Sequence, residues 1–177
     1  MKQKHKQSTD ADKIMMWLIG GLLVVIIILI GYVAVGESKA DPGTNVVQYN
    51  LTDTEKPAAQ VDAASKDIGM MSVNDTKITD FTVKNTGTKP LVFYGISSSC
   101  DCTSGQVTID GTKSPAVSMH DKNSWTGTVN PGQSATVSVI YEPKIMPVKG
   151  DISRSVYLKT NDPANPQLTF SIKTFVE

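Results

Sequence analysis

The sequence predicts an all-β fold, an antiparallel β-sandwich of two layers, preceded by one N-terminal transmembrane helix. Two observations carry this prediction. Residues 14–36 contain no charged side chain, which is typical of a segment that crosses a bilayer. From Asp67 to Glu177, short segments of alternating apolar and polar residues are separated by turn residues, which is typical of a sandwich.

Length and charge limit the classes of function. The chain has 177 residues, which suits one domain with appendages. Its 17 Lys and Arg residues balance its 17 Asp and Glu residues, so it lacks the basic excess expected of a nucleic-acid-binding protein. We therefore expect no nucleic acid among its partners. Its two cysteines are too few for a disulfide scaffold.

The apolar run is long enough to remain in the membrane. Residues 14–36 suffice to span a hydrocarbon core of about 30 Å, and Trp17 and Tyr32 near its ends suit the headgroup zones. A cleaved signal peptide is the alternative, but its apolar region is normally only about 7–15 residues long. The Lys-rich residues 1–13 are predicted to form a cytoplasmic tail. The chain is then a single-pass protein of the cell membrane whose C-terminal part lies outside the cytoplasm.

The outer part divides into a linker and a domain. Residues 37–66 are rich in Asp, Thr, Ala, Pro and Gln without a persistent amphipathic period, which predicts an extracytoplasmic linker. Residues 67–177 form the predicted sandwich domain, in which the segment from Ala135 to Tyr141 alternates apolar and polar residues most clearly. The predicted strands are Ile68–Val73, Ile78–Lys84, Leu91–Ser97, Gln106–Ile109, Trp125–Val129, Ala135–Tyr141, Ser155–Thr160 and Leu168–Phe175.

The stretch Phe81–Gly105 reads as strand, turn, strand and a polar loop that carries both cysteines. It also carries a resemblance to the bacterial domain-of-unknown-function 1573 family, whose members look like the immunoglobulin-like modules named after the ASPM and Hydin proteins. The resemblance covers roughly Asp67 to the C-terminus and implies an immunoglobulin-like sandwich more firmly than an activity. Asp101 stands where glycine is commonest in the family. The matching motifs are Asn85-Thr86-Gly87, Pro90-Leu91, Ser99-Cys100-Asp101-Cys102-Thr103, Pro131-Gly132 and Thr160-Asn161-Asp162.

Cys100 and Cys102 are the residues that point most directly to chemistry. In an extended loop, side chains two positions apart project to the same side. A disulfide between them would close a very small ring, so we do not expect them to be bonded to each other. Three interpretations are open: packing as small hydrophobic side chains, a soft-metal site, and a redox-active thiol pair. The third lacks the Cys-x-x-Cys spacing at a helix N-terminus that lowers a thiol pKa.

The metal interpretation points to Cu(I), because thiolate and thioether sulfur are soft ligands and imidazole also suits copper. The predicted ligands are Cys100, Cys102 and His120, with Met119 or Met146 as a weaker extra ligand. The simpler interpretation of Met119 is loop packing, and that of His120 is an ordinary surface residue.

The copper prediction requires that separate loops meet. We expect the loops after the strands that end at Ser97, Ile109 and Tyr141 to share one end of the sandwich. Zinc is the alternative metal on the same cysteines and histidine, with Asp101 or Asp121 as the fourth ligand.

Common enzyme signatures are missing from the sequence. It has no Gly-x-Ser-x-Gly motif, no phosphate-binding Gly-rich loop and no zinc-protease helix. We therefore predict that the protein is not an enzyme but a membrane-anchored extracytoplasmic binding module that binds or carries copper. The alternative is an adhesive or scaffolding domain that binds another envelope protein without a metal.

Overall fold

The structure is a computed structural model that describes residues 14–26 and 46–177. Residues 14–26 are helical and have exposed side chains. They are the first part of the predicted transmembrane segment, whose residues 27–36 lie outside the described residues, as does the predicted cytoplasmic tail. Within the described ranges, no helix is long and apolar enough to cross a membrane. The transmembrane helix therefore stays a prediction.

Residues 46–177 contain a β-sandwich of two sheets, which confirms the predicted all-β class. Its strands are β1 (Ala59–Val61), β2 (Ser65–Met71), β3 (Lys77–Asn85), β4 (Leu91–Ser98), β5 (Thr103–Ile109), β6 (Thr112–Lys113), β7 (Thr126–Val129), β8 (Ser134–Tyr141), β9 (Gly150–Thr160) and β10 (Gln167–Val176). The first sheet has the order β1-β3-β8-β5-β6, and the second has the order β2-β10-β9-β4-β7. Neighbouring strands are antiparallel except β2, which runs parallel to β10.

The sandwich begins earlier in the chain than Asp67, the predicted domain start. β1 pairs with the end of β3, with Ala59 opposite Asn85, so residues 59–66 belong to the domain and not to the linker. A strand of three residues is too short to show an alternating pattern, and its position is set by its partner strand. β6 was not predicted for the same reason, because it has only two residues.

The core lies between the sheets and follows the alternation of the sequence. In β8, the inward residues from Ala135 to Tyr141 are buried. Phe81 of the first sheet and Phe170 of the second are both fully buried, and their ring centroids lie 5.3 Å apart. Aromatic pairs at this distance contribute packing beyond the area that they bury, so this pair joins the two sheets.

The segment just before β1 contacts the turn between β3 and β4. The backbone N–H groups of Thr86 and Thr88 donate to the carbonyl oxygens of Ala58 and Lys56 at 2.8 Å and 3.0 Å. At Gly87 the two backbones are so close that a Cβ atom would overlap the carbonyl oxygen of Lys56, which explains the glycine. We call the end of the sandwich formed by residues 56–59, 86–90 and 161–166 the entry end.

The opposite end carries the cysteines. β4 and β8 run toward it, and β5 and β9 run away from it, because the register places Thr103 opposite Tyr141 and Ser98 opposite Val156. The loops after β4 and β8 therefore both lie here. We call this end, formed by residues 99–102, 118–121 and 142–149, the cysteine end.

Candidate functional site

Cys100 and Cys102 are joined by a disulfide, and the prediction that they would not pair with each other is wrong. That prediction assumed an extended loop, in which Cα atoms two residues apart are separated by about 6.6 Å. Instead, the N–H of Thr103 donates to the carbonyl oxygen of Cys100 at 3.2 Å and closes a turn. The two Cα atoms are consequently 5.3 Å apart, a normal separation for a disulfide.

Both cysteines are also buried in the hydrophobic core, as the packing interpretation predicts. Cys100 is 8% exposed and Cys102 is 1% exposed. The hydroxyl of Thr103 lies 3.4 Å from the sulfur of Cys100 and 3.8 Å from that of Cys102. Cys100 is therefore the more exposed residue of the pair.

The turn that holds the disulfide is fixed to both sheets. The hydroxyl of Ser98 lies 2.7 Å from the carbonyl oxygen of Cys100 and 2.6 Å from that of Thr103, within donating distance of either. Ser99 forms two hydrogen bonds with Ser155 of β9: its N–H donates to the Ser155 carbonyl oxygen at 2.9 Å, and its hydroxyl accepts from the Ser155 N–H at 3.0 Å. These bonds define the position of the sulfur atoms relative to β9.

Arg154 of β9 places a cation beside the disulfide. It lies in phase with the buried residues Ile152 and Val156, so its side chain begins on the inner face of the sheet. Its Nε–H donates to the sulfur of Cys102 at 3.3 Å, and its guanidinium carbon lies 6.0 Å from the ring centroid of Tyr141. Within residues 46–177, the structure shows no ion pair between Arg154 and a carboxylate.

The phenol beneath this guanidinium is neutral. Tyr141 is fully buried, and among the described residues its hydroxyl has no hydrogen-bond partner. Burial raises the pKa of Tyr141, and the positive charge of Arg154 opposes this effect only in part. The charge of Arg154 is therefore not balanced by a phenolate, and its nearest soft partner is the sulfur of Cys102.

His120 lies on a different loop of the cysteine end and contacts Asp101. Its Nδ1 lies 2.9 Å and 3.0 Å from the two carboxylate oxygens of Asp101. The N–H of Glu142, just after β8, donates to the carbonyl oxygen of Cys102 at 2.9 Å. The segment that carries His120 and the residues after β8 thus both contact the loop of the cysteines. The prediction was wrong about how this happens, because β5 ends at Ile109 opposite Ala135, away from the cysteine end. The chain returns to the cysteine end only at Val117, which is bridged to Gly105.

The predicted metal ligands do not form a metal site in this state of the chain. The sulfurs are bonded to each other, and Nδ1 of His120 is held by Asp101. Asp121 accepts hydrogen bonds from the N–H and hydroxyl of Ser118 at 2.7 Å and 2.9 Å, which lower its pKa.

Met119 and Met146 are 50% and 48% exposed. Within residues 14–26 and 46–177, no group of three or more His, Cys, Asp or Glu side chains is arranged to hold a metal ion. The disulfide form does not fit copper or zinc, and a metal site stays a prediction for the reduced chain.

Arg154 is the residue that the sequence reasoning missed. It is the only arginine among the 17 basic residues of the chain. It also occupies an inward position of β9, where the neighbouring inward residues are apolar. A charged residue at an inward-facing position of a strand is unusual. The sequence alone could have indicated it, because Arg154 is spaced two residues from both Ile152 and Val156.

Comparison with known proteins supports the fold. A protein of unknown function from Porphyromonas gingivalis W83 is 16% identical, with a TM-score of 0.53 over 71% of this chain and 49% of that one. The chain thus spans about half the length of that structure. The ASH/PapD-like domain 7 of human CEP192 is 16% identical, with a TM-score of 0.46 over 77% of this chain and 98% of that one. The VesB protease of Vibrio cholerae is 15% identical, with a TM-score of 0.42 over 69% and 32%.

The search of curated proteins found no match. A family model, by contrast, matches residues 57–174, which is more than half of the chain and begins at the entry end. The immunoglobulin-like part of the resemblance is thereby confirmed, while the narrower bacterial family stays a prediction. The chain belongs to the HYDIN/CFA65/VesB-like family of Ig-like domains.

Proposed function

We propose that the chain is a membrane-anchored, extracytoplasmic module that binds another protein of the cell envelope through the cysteine end of its sandwich. The observation that carries the proposal is a set of exposed apolar side chains in the loops of this end. Met119, Ile145 and Met146 are 50%, 50% and 48% exposed. Exposed apolar groups that share a surface are typical of sites for protein partners.

The point at which the chain enters the sandwich also supports the cysteine end as the binding surface. Residues 56–59 join the sandwich at the entry end, where the N–H of Ala59 also donates to the carboxylate of Asp162 at 2.9 Å. The anchor that we propose for residues 14–36 precedes this point. The cysteine end lies opposite this entry point within the sandwich.

The disulfide supports a location outside the cytoplasm. Disulfides persist in oxidising compartments and are rare in the cytosol, where cellular thiols keep cysteines reduced. The Cys100–Cys102 bond therefore agrees with the orientation proposed from the Lys-rich residues 1–13.

A free strand edge is a less suitable surface for the partner. β2 is the outer strand of its sheet, but the ammonium group of Lys77 donates to the carbonyl oxygens of Ile68 and Met70 at 2.7 Å and 2.8 Å. The ammonium group of Lys66 crosses to β3 and donates to the carbonyl oxygen of Asp80 at 2.6 Å. Lysines at an edge oppose the addition of another strand, so the loops are the better candidates.

Site-specific photo-crosslinking tests this proposal. A photoreactive residue is introduced at Met119, at Met146 and, as a control at the entry end, at the exposed Asn130. The experiment uses the full chain in the cells that produce it. We expect one protein to be captured from Met119 and Met146 but not from Asn130. Capture of the same protein with equal yield from Asn130 contradicts the proposal.

A matched pair of variants separates specific binding from nonspecific hydrophobic association. Met119→Ser/Met146→Ser removes apolar surface from the cysteine end. Leu51→Ser removes it from the exposed segment before the entry end, where Leu51 is 65% exposed. We expect only the first variant to lose the crosslinked partner.

Copper binding is retained as a second candidate function for the reduced chain only, because reduction restores the two thiolates that Cu(I) prefers. The test is a Cu(I) titration of the purified full chain against a chromophoric chelator, with Cys100→Ser/Cys102→Ser as the control. We expect tight binding after reduction and none in the disulfide form. Equal binding by the reduced chain and the control removes copper from consideration.

A further inference from the structure

We propose that Cys100 and Cys102 form a thiol–disulfide exchange site, in which an external thiolate attacks Cys100 and Arg154 stabilises the thiolate of Cys102 that leaves. This activity is separate from partner binding at the cysteine end. It concerns the sulfur atoms and not the apolar side chains of the loops, so either proposal can fail without the other.

The first argument is that Arg154, among the described residues, contacts a sulfur atom and not a carboxylate. An arginine that begins on the inner face of a sheet normally pairs with a carboxylate. Within residues 46–177, Arg154 has no such pair, and its Nε–H points at the sulfur of Cys102 at 3.3 Å. A disulfide sulfur is a weak acceptor, whereas a thiolate is a strong one for a cationic donor. The guanidinium is therefore better matched to the reduced site than to the oxidised one.

The second argument is the difference in exposure between the two cysteine residues. Cys100 is 8% exposed and Cys102 is 1% exposed, so we assign the attack to Cys100, the more exposed residue of the pair. The bond to Cys102 then breaks, and the negative charge appears on the sulfur that contacts Arg154. Exchange is faster when the leaving thiol has a lower pKa, and an adjacent guanidinium lowers that pKa. Access and charge stabilisation thus favour the same direction of attack.

The third argument is the charge around the point of attack. Asp101 lies between the two cysteines, and its carboxylate alone would repel an approaching thiolate. Nδ1 of His120 lies 3.0 Å and 2.9 Å from the two carboxylate oxygens of Asp101, so this carboxylate already has a partner. The side chains of His120 and Asp101 are 75% and 44% exposed, so this pair is itself open to solvent.

The reaction balances with a thiol as the only co-reactant. In the first step, the thiolate of reduced glutathione bonds to the sulfur of Cys100, and the Cys100–Cys102 electron pair passes to Cys102. In the second step, another glutathione thiolate attacks the glutathione sulfur of the mixed disulfide and releases Cys100 as a thiolate. The two cysteine thiolates take up protons from water. Two glutathione molecules become one glutathione disulfide, and the protein disulfide becomes two thiols.

The first test locates the attack in the unaltered chain. The purified full chain is incubated with reduced glutathione, quenched with acid and analysed by peptide mass spectrometry. We expect the glutathione adduct on Cys100. An adduct on Cys102, or reduction that occurs only when the chain unfolds, overturns the proposal.

The second test measures the effect of Arg154 on rate. Arg154→Met keeps the length of the side chain and removes its charge, and Lys113→Met removes a charge from the exposed strand β6 as the matched control. We expect Arg154→Met to slow reduction by glutathione roughly tenfold and Lys113→Met to leave it unchanged. An unchanged rate in folded Arg154→Met overturns the proposal. If this variant does not fold, Arg154→Lys, which keeps the charge but loses the Nε donor, is compared instead and is expected to be slower than the unaltered chain.

The third test uses a readout that a purely structural role of Arg154 does not move. In Cys100→Ser, the ultraviolet absorbance of the Cys102 thiolate reports its pKa as pH is varied. We expect this pKa to lie below that of an ordinary thiol and to rise when Arg154→Met is added. A pKa that is the same with and without Arg154 overturns the role assigned to the arginine.

Discussion

The side-chain amide of Asn85 donates a hydrogen bond to the backbone carbonyl oxygen of Val129 at 2.9 Å, and both residues are fully buried. The same amide nitrogen donates to the carbonyl oxygen of Lys89 at 2.8 Å, and the amide oxygen accepts from the N–H of Gly87 at 3.0 Å. One side chain thus links the end of β3, the following turn and the end of β7 across the two sheets. This arrangement gives a physical reason for the asparagine in the Asn-Thr-Gly motif.

Replacing Asn85 by alanine is expected to destabilise the sandwich. The carbonyl oxygens of Val129 and Lys89 lose their donor, and an unsatisfied buried polar group costs about 1–3 kcal/mol. We predict that Asn85→Ala lowers the free energy of unfolding by about 2–4 kcal/mol, measured by chemical denaturation. The control is Asn74→Ala in an exposed turn, which we expect to change it much less. A similar small effect for both variants contradicts the role of Asn85.

The Phe81–Phe170 contact is expected to be a main link between the sheets. Phe81→Ala leaves a cavity beside the Phe170 ring, and such changes typically cost about 3–5 kcal/mol. We predict a loss of this size in the unfolding free energy. Phe175→Ala is the control, because Phe175 is 44% exposed; an equal loss for both variants is inconsistent with this placement of the core.

Reducing the disulfide is expected to destabilise the domain only slightly. The closed loop contains three residues, Cys100 to Cys102, and the loop-entropy relation gives about 1.5 kcal/mol for so short a loop. We predict that the reduced chain keeps its β-sheet circular dichroism spectrum and unfolds at a moderately lower denaturant concentration. Complete unfolding on reduction contradicts this prediction. A folded reduced state is also what exchange at this site requires.

The stability of the domain is expected to depend on the carboxylate of Asp62 in acid. This carboxylate accepts hydrogen bonds from the backbone N–H groups of Thr82 at 3.0 Å and Ala63 at 2.8 Å. The bond from Thr82 is the main cause that lowers the pKa of Asp62, and burial opposes it. Because the pKa is lower in the folded state, the stabilisation is present above the unfolded-state pKa and is lost as pH falls through the folded-state pKa.

The measurement is the unfolding free energy of the unaltered chain and of Asp62→Asn from about pH 7 to about pH 2. We predict that the advantage of the unaltered chain is small, since Asp62 is exposed and screened by solvent, and that it disappears in acid. Asp151→Asn removes the same charge from another exposed position and serves as the control. An advantage that grows in acid has the wrong sign for this interpretation.

The sequence predicted the long strands well because each buries one face. Buried residues alternate with more exposed ones throughout β10, and in β8 only Ser138 departs from this alternation. The observed bounds of both strands differ from the predicted bounds by one residue at most at each end. β1 was missed because its three residues show no period, and its place depends on backbone hydrogen bonds to Asn85 and Thr86. Short strands that are fixed by their partners leave little trace in a single sequence.

The site was only partly predictable for a related reason. The loops of Cys100 and Glu142 meet because strand direction decides at which end a loop lies, and direction can be counted along the sequence. The segment of His120 reaches the same end because the chain returns alongside β5 and forms a bridge from Val117 to Gly105, which a count of strands does not reveal. The disulfide depends on a turn closed by one hydrogen bond from Thr103 to Cys100, and alternation carries no information about that turn. Arg154 could be recognised as a charged residue at a position where its neighbours on the same face are apolar. Its contact with Cys102 could not be predicted, because the two residues are distant in sequence.

The most direct test of the cysteine end as the binding surface is the ratio of crosslinking yields from Met146 and Asn130 in cells that produce the chain. The two positions are both exposed but lie at opposite ends of the same sandwich. We predict that a single envelope protein is captured from Met146, and that its yield from Asn130 is at background. Capture from Asn130 at a yield equal to or above that from Met146 would contradict the proposed binding end.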